Sequence, residues 1–364
     1  MNDTLKNLDS LFRMSAVPTA AIDGDVFVYC NPAAEKAFSG ELTGSKPSEL
    51  FPSWPYSRNC VAATNVLGVE CIVTVTGFEE LLVLTLAPTA SADQAPSIPI
   101  SALNSMASTI TTLRMAADKL SVLCPKSEKQ ELYTSILYHN YYKLLRTTEH
   151  LTTLSSLRSN EYPFSPEPLE LGTFLSDIAS SVRSLTADSG VTLEYEPPAD
   201  LITANGDASL LERLVLGLIA NSLKHTPAGG RITLRVSKHR DSAMLSVDDT
   251  GAGIPPEILS SAFNISEAQT PAELSSCESG LGLPLVLAIA SKHGGTLLLE
   301  SREGIGTSAR VLLRSVDESI TTLRMPRAVY GSQIPVRALT ELSTVLPRSQ
   351  YAPNVVFDEK PDNN

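Results

Sequence analysis

Residues 248–255 read DDTGAGIP, so two carboxylates, Asp248 and Asp249, run into glycines at 251 and 253. A carboxylate just past a strand end can accept a hydrogen bond from an exocyclic amine, such as N6 of adenine. Glycines two and four residues further on let the backbone come close and adopt positive φ. A second island, LLERLVLGLIANSLKHTP (210–227), puts Asn221 and Lys224 three apart on one helix edge. An amide oxygen at Asn221 suits Mg²⁺ beside a phosphate, and Lys224 suits the phosphate itself. A third island, Ser279-Gly280-Leu281-Gly282-Leu283, opens a helix. Glycine-rich backbone ahead of a helix N-terminus turns free N–H groups and the helix dipole toward an anion. Singly, these read as a solvated helix edge, an ordinary surface turn and a chance Gly-x-Gly. In this order and spacing they carry weight that none has alone.

The islands need a scaffold, and the pattern from 172 to 314 supplies one. It reads as a helix over 172–187, strands at 191–196 and 201–204, and a helix over 207–224. Strands at 231–236 and 243–248 follow, then a helix near 281–293 and strands at 296–301 and 308–314. Leu211, Leu214, Val215 and Leu218 form the apolar face of the second helix. Mixed helices and strands of these lengths predict an α/β sandwich.

Upstream lie two long helical patterns. Leu103, Met106, Ile110, Leu113, Ala117 and Leu120 are spaced 3, 4, 3, 4, 3, a heptad seam that Cys124-Pro125 ends. A second helix over about 127–158 carries Leu137, Leu144 and Leu151 seven apart, with Leu154 continuing. A hairpin of two such helices is thin, and two copies paired into a four-helix bundle bury the seams better. That predicts a homodimer; the alternative is a hairpin packed on its own chain. Residues 1–90 alternate short apolar runs with turns. They read as a small sensor-like module, with a DGD turn at 23–25, a helix entered at Asn31-Pro32, and strands at 71–76 and 81–88.

The totals exclude several classes. A formal net charge of −12 disfavours the phosphate backbone of nucleic acid as a partner. The longest apolar run, LGLPLVLAIA (281–290), is too short for a membrane span and contains Pro284. The N-terminus lacks a signal-peptide core. The five cysteines are scattered without a Cys-x-x-Cys, which argues for reduced thiols in a cytoplasm and against a disulfide frame or zinc site.

The three islands resemble the motifs of the ATP-binding domain shared by histidine kinases, DNA gyrase and Hsp90-type ATPases, most closely the histidine-kinase branch. ANSLKHTP (220–227) is similar to its N-box, DDTGAGIP to its G1 box, and SGLGLPLVLAIASKHGG (279–295) to its G2 box. GIGTSARVLL (304–313) resembles the closing strand. The resemblance implies that Asp249 binds adenine with Thr307 nearby, that Asn221 binds Mg²⁺, and that Lys224 pairs with phosphate. Gly251, Gly253, Gly280, Leu281 and Gly282 would shape the lid and the phosphate site. The hairpin then resembles the family's dimerisation and phosphoacceptor domain, and residues 20–38 a PAS sensor.

The implied fold is multidomain α+β. A PAS-like domain spans 1–90, a linker 91–98, and a hairpin that forms a dimeric four-helix bundle 99–160. An α/β-sandwich ATP-binding domain spans 161–316, and a largely disordered tail 317–364. The implied cofactors are ATP and Mg²⁺, and the implied partners are a second copy, a response regulator or another kinase.

Chemistry departs from the family on the first hairpin helix. Aligning NSMASTITTLRMAADKL (104–120) places Asn104 at the phosphoacceptor histidine and Ser105 at the acid behind it, and 99–126 holds no histidine. The reaction needs an imidazole nitrogen that attacks the γ-phosphate and a carboxylate that takes its proton. An amide nitrogen has a delocalised lone pair and cannot replace it. Gly217 stands where the kinases often have Asn and the hydrolysing cousins a catalytic Glu; Glu278 stands at the first G2-box glycine. His139 and His150 fall on the second hairpin helix, where packing or surface roles are expected. A packing role is expected for His225 and a helix C-cap role for His293. Three classes of function remain. They are a nucleotide-gated regulator without self-phosphorylation on Asn104, a kinase with a displaced or partner acceptor, and an anti-sigma-type Ser/Thr kinase. A gyrase-like ATPase is disfavoured by Gly217 and the acidic charge.

Overall fold

In a computed structural model of the chain, the described residues are 3–15, 17–38, 42–51, 54, 56–66, 69–78, 80–88, 100–123, 128–240, 242–259, 281–314 and 334–351. The first unit holds α1 (Asp3–Phe12), β1 (Thr19–Asp23), β2 (Val26–Cys30), α2 (Pro32–Ala37) and α3 (Pro47–Leu50). It is completed by β3 (Cys60–Val66), β4 (Val69–Phe78) and β5 (Leu81–Pro88), with strand order β2-β1-β5-β4-β3. The Asp-Gly-Asp turn forms as expected, with Gly24 at φ +60°. Asn31 caps α2: its Oδ1 accepts from Ala34 N and Thr19 N, each at 2.9 Å, and Pro32 follows at the first helical position. Phe27, Phe38, Phe51, Trp54 and Tyr56 fill the core of this unit.

Two helices follow, α4 (Ile100–Leu123) and α5 (Glu128–Arg158), packed as the expected hairpin. The heptad seam divides. Ile110 and Ala117 are buried, whereas Met106 and Leu113 are 48% and 58% exposed; on α5, Leu154 is buried and Leu137 and Leu144 are about half exposed. The side chains of Leu103 and Leu120 lie outside the described residues. Tyr138 and Tyr142 take the buried side instead. The Tyr138 hydroxyl donates to Asp118, and the Arg114 guanidinium lies 5.5 Å from the Tyr141 ring centre.

The third unit contains β6 (Glu167–Glu170), α6 (Leu171–Leu185), β7 (Thr192–Glu196), β8 (Thr203–Gly206) and α7 (Ala208–His225). It continues with β9 (Arg231–His239), β10 (Ser242–Asp249), α8 (Pro256–Leu259), α9 (Gly282–Lys292), β11 (Thr296–Arg302) and β12 (Gly306–Arg314). The expected α/β sandwich is present. Helices α6, α7 and α9 pack on one face of the strand series β11-β12-β10-β9-β7, and β6 pairs with β8 apart from it. Leu211, Leu214, Val215 and Leu218 are buried as the helical spacing requires. They meet Leu234, Leu245, Leu297, Val311 and Leu313 in the same core. Each such side chain, fully buried, contributes about 1.5–3 kcal/mol.

Asp207 caps α7 through Oδ1, which accepts from Ser209 N and Leu210 N at 3.1 Å each. His293 ends α9 and does more than cap it. Its Nδ1 donates to Ile289 O at 2.8 Å, and its Nε2 accepts from Asp207 N at 3.0 Å, so one neutral ring ties the end of α9 to the start of α7. Burial lowers its pKa, consistent with that neutral ring.

Two features go beyond the sequence reading, which gave no strand at 60–66 and only one or two helical turns, at 338–346, in the tail. Strand β3 pairs antiparallel with β11, in the register Ala63↔Leu297 to Cys60↔Glu300. The N-terminal sheet and the sandwich sheet are therefore one ten-stranded sheet. The other is α10 (Ile334–Glu341), followed by a 3₁₀ turn at Arg348–Tyr351. The expectation of a largely disordered tail over 317–364 fails for 334–351, where Ala338, Leu339, Leu342, Leu346 and Tyr351 are buried in the sandwich core. The rest of that tail and the expected linker at 91–98 lie outside the described residues. Cys30, Cys60 and Cys71 are in no disulfide among the described residues, and burial pushes the Cys30 and Cys60 thiols up to about 12. No helix among the described residues is long and apolar enough to cross a membrane.

Candidate functional site

The site forms where β10 ends beside α7. β10 and β12 pair with Asp249 opposite Thr307, so the strand register sets the carboxylate against that residue. Three donors hold it. Asp249 Oδ1 accepts from Gly251 N at 2.9 Å and Thr307 N at 3.2 Å, and Oδ2 accepts from Ser222 Oγ at 2.9 Å. A carboxylate has about four acceptor positions, so this frame fixes its plane and leaves capacity for a ligand donor.

The sequence reading missed Ser222. Its only signal was its position beside Asn221, where a small polar residue on a helix reads as surface; here it is buried with its hydroxyl on the acid.

The G1 turn fits only without side chains. A Cβ on Gly251 would stand 2.6 Å from His225 O, and one on Gly253, at φ +70°, would stand 2.2 Å from Arg302 O. Ala252 N donates to His225 O at 3.1 Å and Gly304 N to Ala252 O at 2.7 Å, so the turn is stitched to the α7 end and to the β11–β12 connection. Ser301 Oγ, another residue not singled out from sequence, accepts from Ile254 N at 2.7 Å and lies 2.9 Å from Thr307 Oγ1. His225 thus contributes its backbone carbonyl.

Asn221 lies on the same edge of α7, one residue before Ser222. Its Nδ2 is buried with no hydrogen-bond partner among the described residues. A buried unpaired amide costs about 1–3 kcal/mol, which a ligand acceptor would recover. Facing it is the start of α9: a Cβ on Gly282 would lie 3.6 Å from Asn221 Oδ1. Leu281 precedes that helix as an N-cap without a side-chain cap bond, so no side chain of its own occupies the first amides. Lys224 is exposed one turn beyond Asn221. Asp249, Asn221, Lys224, Gly251, Gly253, Leu281, Gly282 and Thr307 therefore converge on one end of the sandwich. Gly280 and Glu278 lie outside the described residues, as does the 260–280 segment that bears them. Asn104 is on α4, and its side chain is not described.

An open cleft of about 280 Å³ lies at the same strand ends. Arg58 and Asn59 of the first unit line it together with Asp248, Arg302 and Ile305. No group of three or more His, Cys, Asp or Glu able to hold a metal occurs among the described residues. A metal here would thus be held by Asn221 together with a ligand's own oxygens.

Residues 206–317 match the family model described as histidine kinase-, DNA gyrase B- and HSP90-like ATPase. The histidine protein kinase DivJ of Caulobacter vibrioides is 29% identical over 189 residues, 52% of this chain and 32% of that protein. The sensor protein ChvG of Agrobacterium fabrum is 30% identical over 215 residues, 56% of this chain and 36% of that protein. The chain spans about a third of the length of these two relatives. The full-length structure of ShkA, in complex with AMPPNP, superposes with a TM-score of 0.51 at 19% identity, covering 60% of this chain and 46% of that one. That likeness supports the fold. Residues 206–317 thus carry a domain of the histidine kinase-, DNA gyrase B- and HSP90-like ATPase type, and the relatives that the chain resembles are sensor histidine kinases.

Proposed function

We propose that this chain is a histidine-kinase-like signalling protein that binds Mg²⁺-ATP and does not phosphorylate itself on the first hairpin helix. The observation that carries the nucleotide reading is the Asp249 carboxylate, fixed by Ser222, Gly251 and Thr307 at the strand end. The orphaned Asn221 amide beside the start of α9 supports it. Asp249 would accept the exocyclic amine of adenine. Asn221 offers one acceptor and one donor, Oδ1 for Mg²⁺ and Nδ2 for a phosphate oxygen, and Lys224 adds a cation at the rim. The first amides of α9 would face the phosphates.

The loss of self-phosphorylation rests on chemistry. Asn104 has no nucleophilic nitrogen. The histidines of the second hairpin helix are poor substitutes, because His139 and His150 are buried and already bonded, to Ser343 O at 2.9 Å and Glu341 Oε2 at 2.7 Å. Output then runs through nucleotide-dependent conformation, through another kinase, or through phosphorylation of a partner such as a response regulator. The exposed Met106, Leu113, Leu137 and Leu144 support pairing of two hairpins into a four-helix homodimer. The aromatic-filled N-terminal unit would be a PAS-like input domain, joined to the ATP-binding sheet through β3 and β11.

Calorimetric titration of the full chain with Mg²⁺-ATP tests the nucleotide reading. One site per chain is expected, weakened when EDTA removes the metal. Heat indistinguishable from dilution would overturn it.

A further inference from the structure

The sequence assigned no role to the C-terminal segment, yet it sits in the angle between α5 and α7. Its Glu341 carboxylate is fully buried and faces His150 and two arginines from two other elements. His150 Nε2 on α5 is 2.7 Å from Oε2, Arg146 Nε on α5 is 3.5 Å from the same oxygen, and Arg213 Nη1 on α7 is 3.7 Å from Oε1. Burial alone would push this carboxyl up; His150, Arg213 and Arg146 outweigh it and hold it at about 2.

The segment is fastened at both ends. Arg337 Nη1 donates to Glu212 Oε2 at 2.7 Å and to Ser209 Oγ at 2.9 Å on α7. The Tyr351 ring lies 5.1 Å from His139 and 5.2 Å from Tyr142 on α5. These contacts fix the ATP-binding unit against the second hairpin helix.

Arg146 stands where that docking meets the nucleotide site. Its side chain is 11% exposed, and its Nε makes no hydrogen bond among the described residues. The point where a Gly282 Cβ would lie is 3.9 Å from Arg146 Nη2 and 3.6 Å from Asn221 Oδ1. The guanidinium of a hairpin residue, the orphaned amide of α7 and the open start of α9 thus share one small volume. Glu341 approaches the guanidinium at Nε, and Nη2 is the nitrogen that lies toward Gly282. A planar fork of donors matches phosphate oxygens two at a time.

We infer that Arg146 is a triphosphate-binding residue supplied to the nucleotide site by the hairpin, and that Glu341 of the C-terminal segment positions it there. This rests on the nucleotide reading above and extends it, because the site then spans the hairpin and the ATP-binding domain. Binding of ATP is thereby linked to the docked arrangement of the two.

The test is calorimetry on the full chain with Mg²⁺-ATP and with adenosine, comparing Arg146→Gln, Arg146→Lys and Glu341→Gln. Arg146→Gln is expected to weaken Mg²⁺-ATP by about 10- to 30-fold and adenosine by less than about two-fold, the loss of one charge-assisted phosphate contact. Arg146→Lys keeps the charge opposite Glu341 but not the fork, and is expected to fall between. Glu341→Gln is expected to reproduce the phosphate-selective loss more weakly. Equal losses for both ligands in Arg146→Gln and Arg146→Lys would mark a merely structural residue and overturn the inference. So would unchanged ATP affinity, while the nucleotide reading survived. Wild-type protein that binds neither ligand would overturn both.

Discussion

Replacing Asp249 by alanine is expected to weaken Mg²⁺-ATP binding at least about 100-fold while leaving the fold intact. A hydrogen bond to a charged group contributes about 1.5–3 kcal/mol, and losing the acceptor for the adenine amine with its ordered surroundings removes about 3 kcal/mol, a factor near 100. The frame around the acid makes the effect specific. Ser222 Oγ, Gly251 N and Thr307 N all point at this carboxylate, so they lose their acceptor together. Asp249→Asn keeps the shape and one oxygen, and should lose about 10-fold. Calorimetry gives the affinities and circular dichroism checks the fold. Alanine-variant affinity within a few-fold of wild type would show that the strand-end carboxylate is structural.

The second large effect concerns stability. Gly306 has φ +141°, and a Cβ there would stand 1.9 Å from Asp249 O, 2.9 Å from Asp249 C and 3.2 Å from Thr250 Cα. All three atoms are backbone, so no side chain can swing away. Gly306→Ala must part β10 from β12 at the pair that places Asp249 against Thr307. Strained backbone and overpacking each cost about 1–3 kcal/mol, so a loss of about 3–5 kcal/mol is expected, with nucleotide binding lost alongside. Gly304 is the control. It also has positive φ, +75°, but nothing lies within 4 Å of its Cβ position, so Gly304→Ala should cost only about 1 kcal/mol. Equal costs in denaturant titration would show that conformational freedom, not the close approach to Asp249, explains both glycines.

The ATP-binding unit was legible because its signals are local. Leu211, Leu214, Val215 and Leu218 announce one helix face, and DDTGAGIP announces a strand end and a turn that needs glycine. What escaped depends on pairing across the chain. The β3–β11 junction is made by backbone groups 234 residues apart at Ala63 and Leu297 and 240 apart at Cys60 and Glu300, and nothing in CVAATNV marks its partner. The helix at Ile334–Glu341 looked unremarkable for a related reason. It is short, and Glu341 reads as surface until His150, Arg146 and Arg213 are brought around it. His139 and His150 were expected to pack or face solvent; the structure buries both against this same segment. The heptad seam on α4 was visible, but which positions close on α5 was not. Ile110 and Ala117 turn inward and Met106 and Leu113 outward, and on α5 Tyr138 and Tyr142 are the buried residues while Leu137 and Leu144 are exposed. Ser222 was hidden by its neighbour, since one residue in a helix separates a ligand-facing amide from a buried hydroxyl.

In the proposed function the chain holds ATP without placing its γ-phosphate on the hairpin. Incubating purified full-length protein with γ-labelled Mg²⁺-ATP, then treating separate aliquots with acid and with base, tests it most directly. The protein is expected to bind ATP by calorimetry and to carry no covalent label. Stoichiometric acid-labile label on the chain would contradict it, because phosphate on a ring nitrogen would then have formed on a histidine despite Asn104.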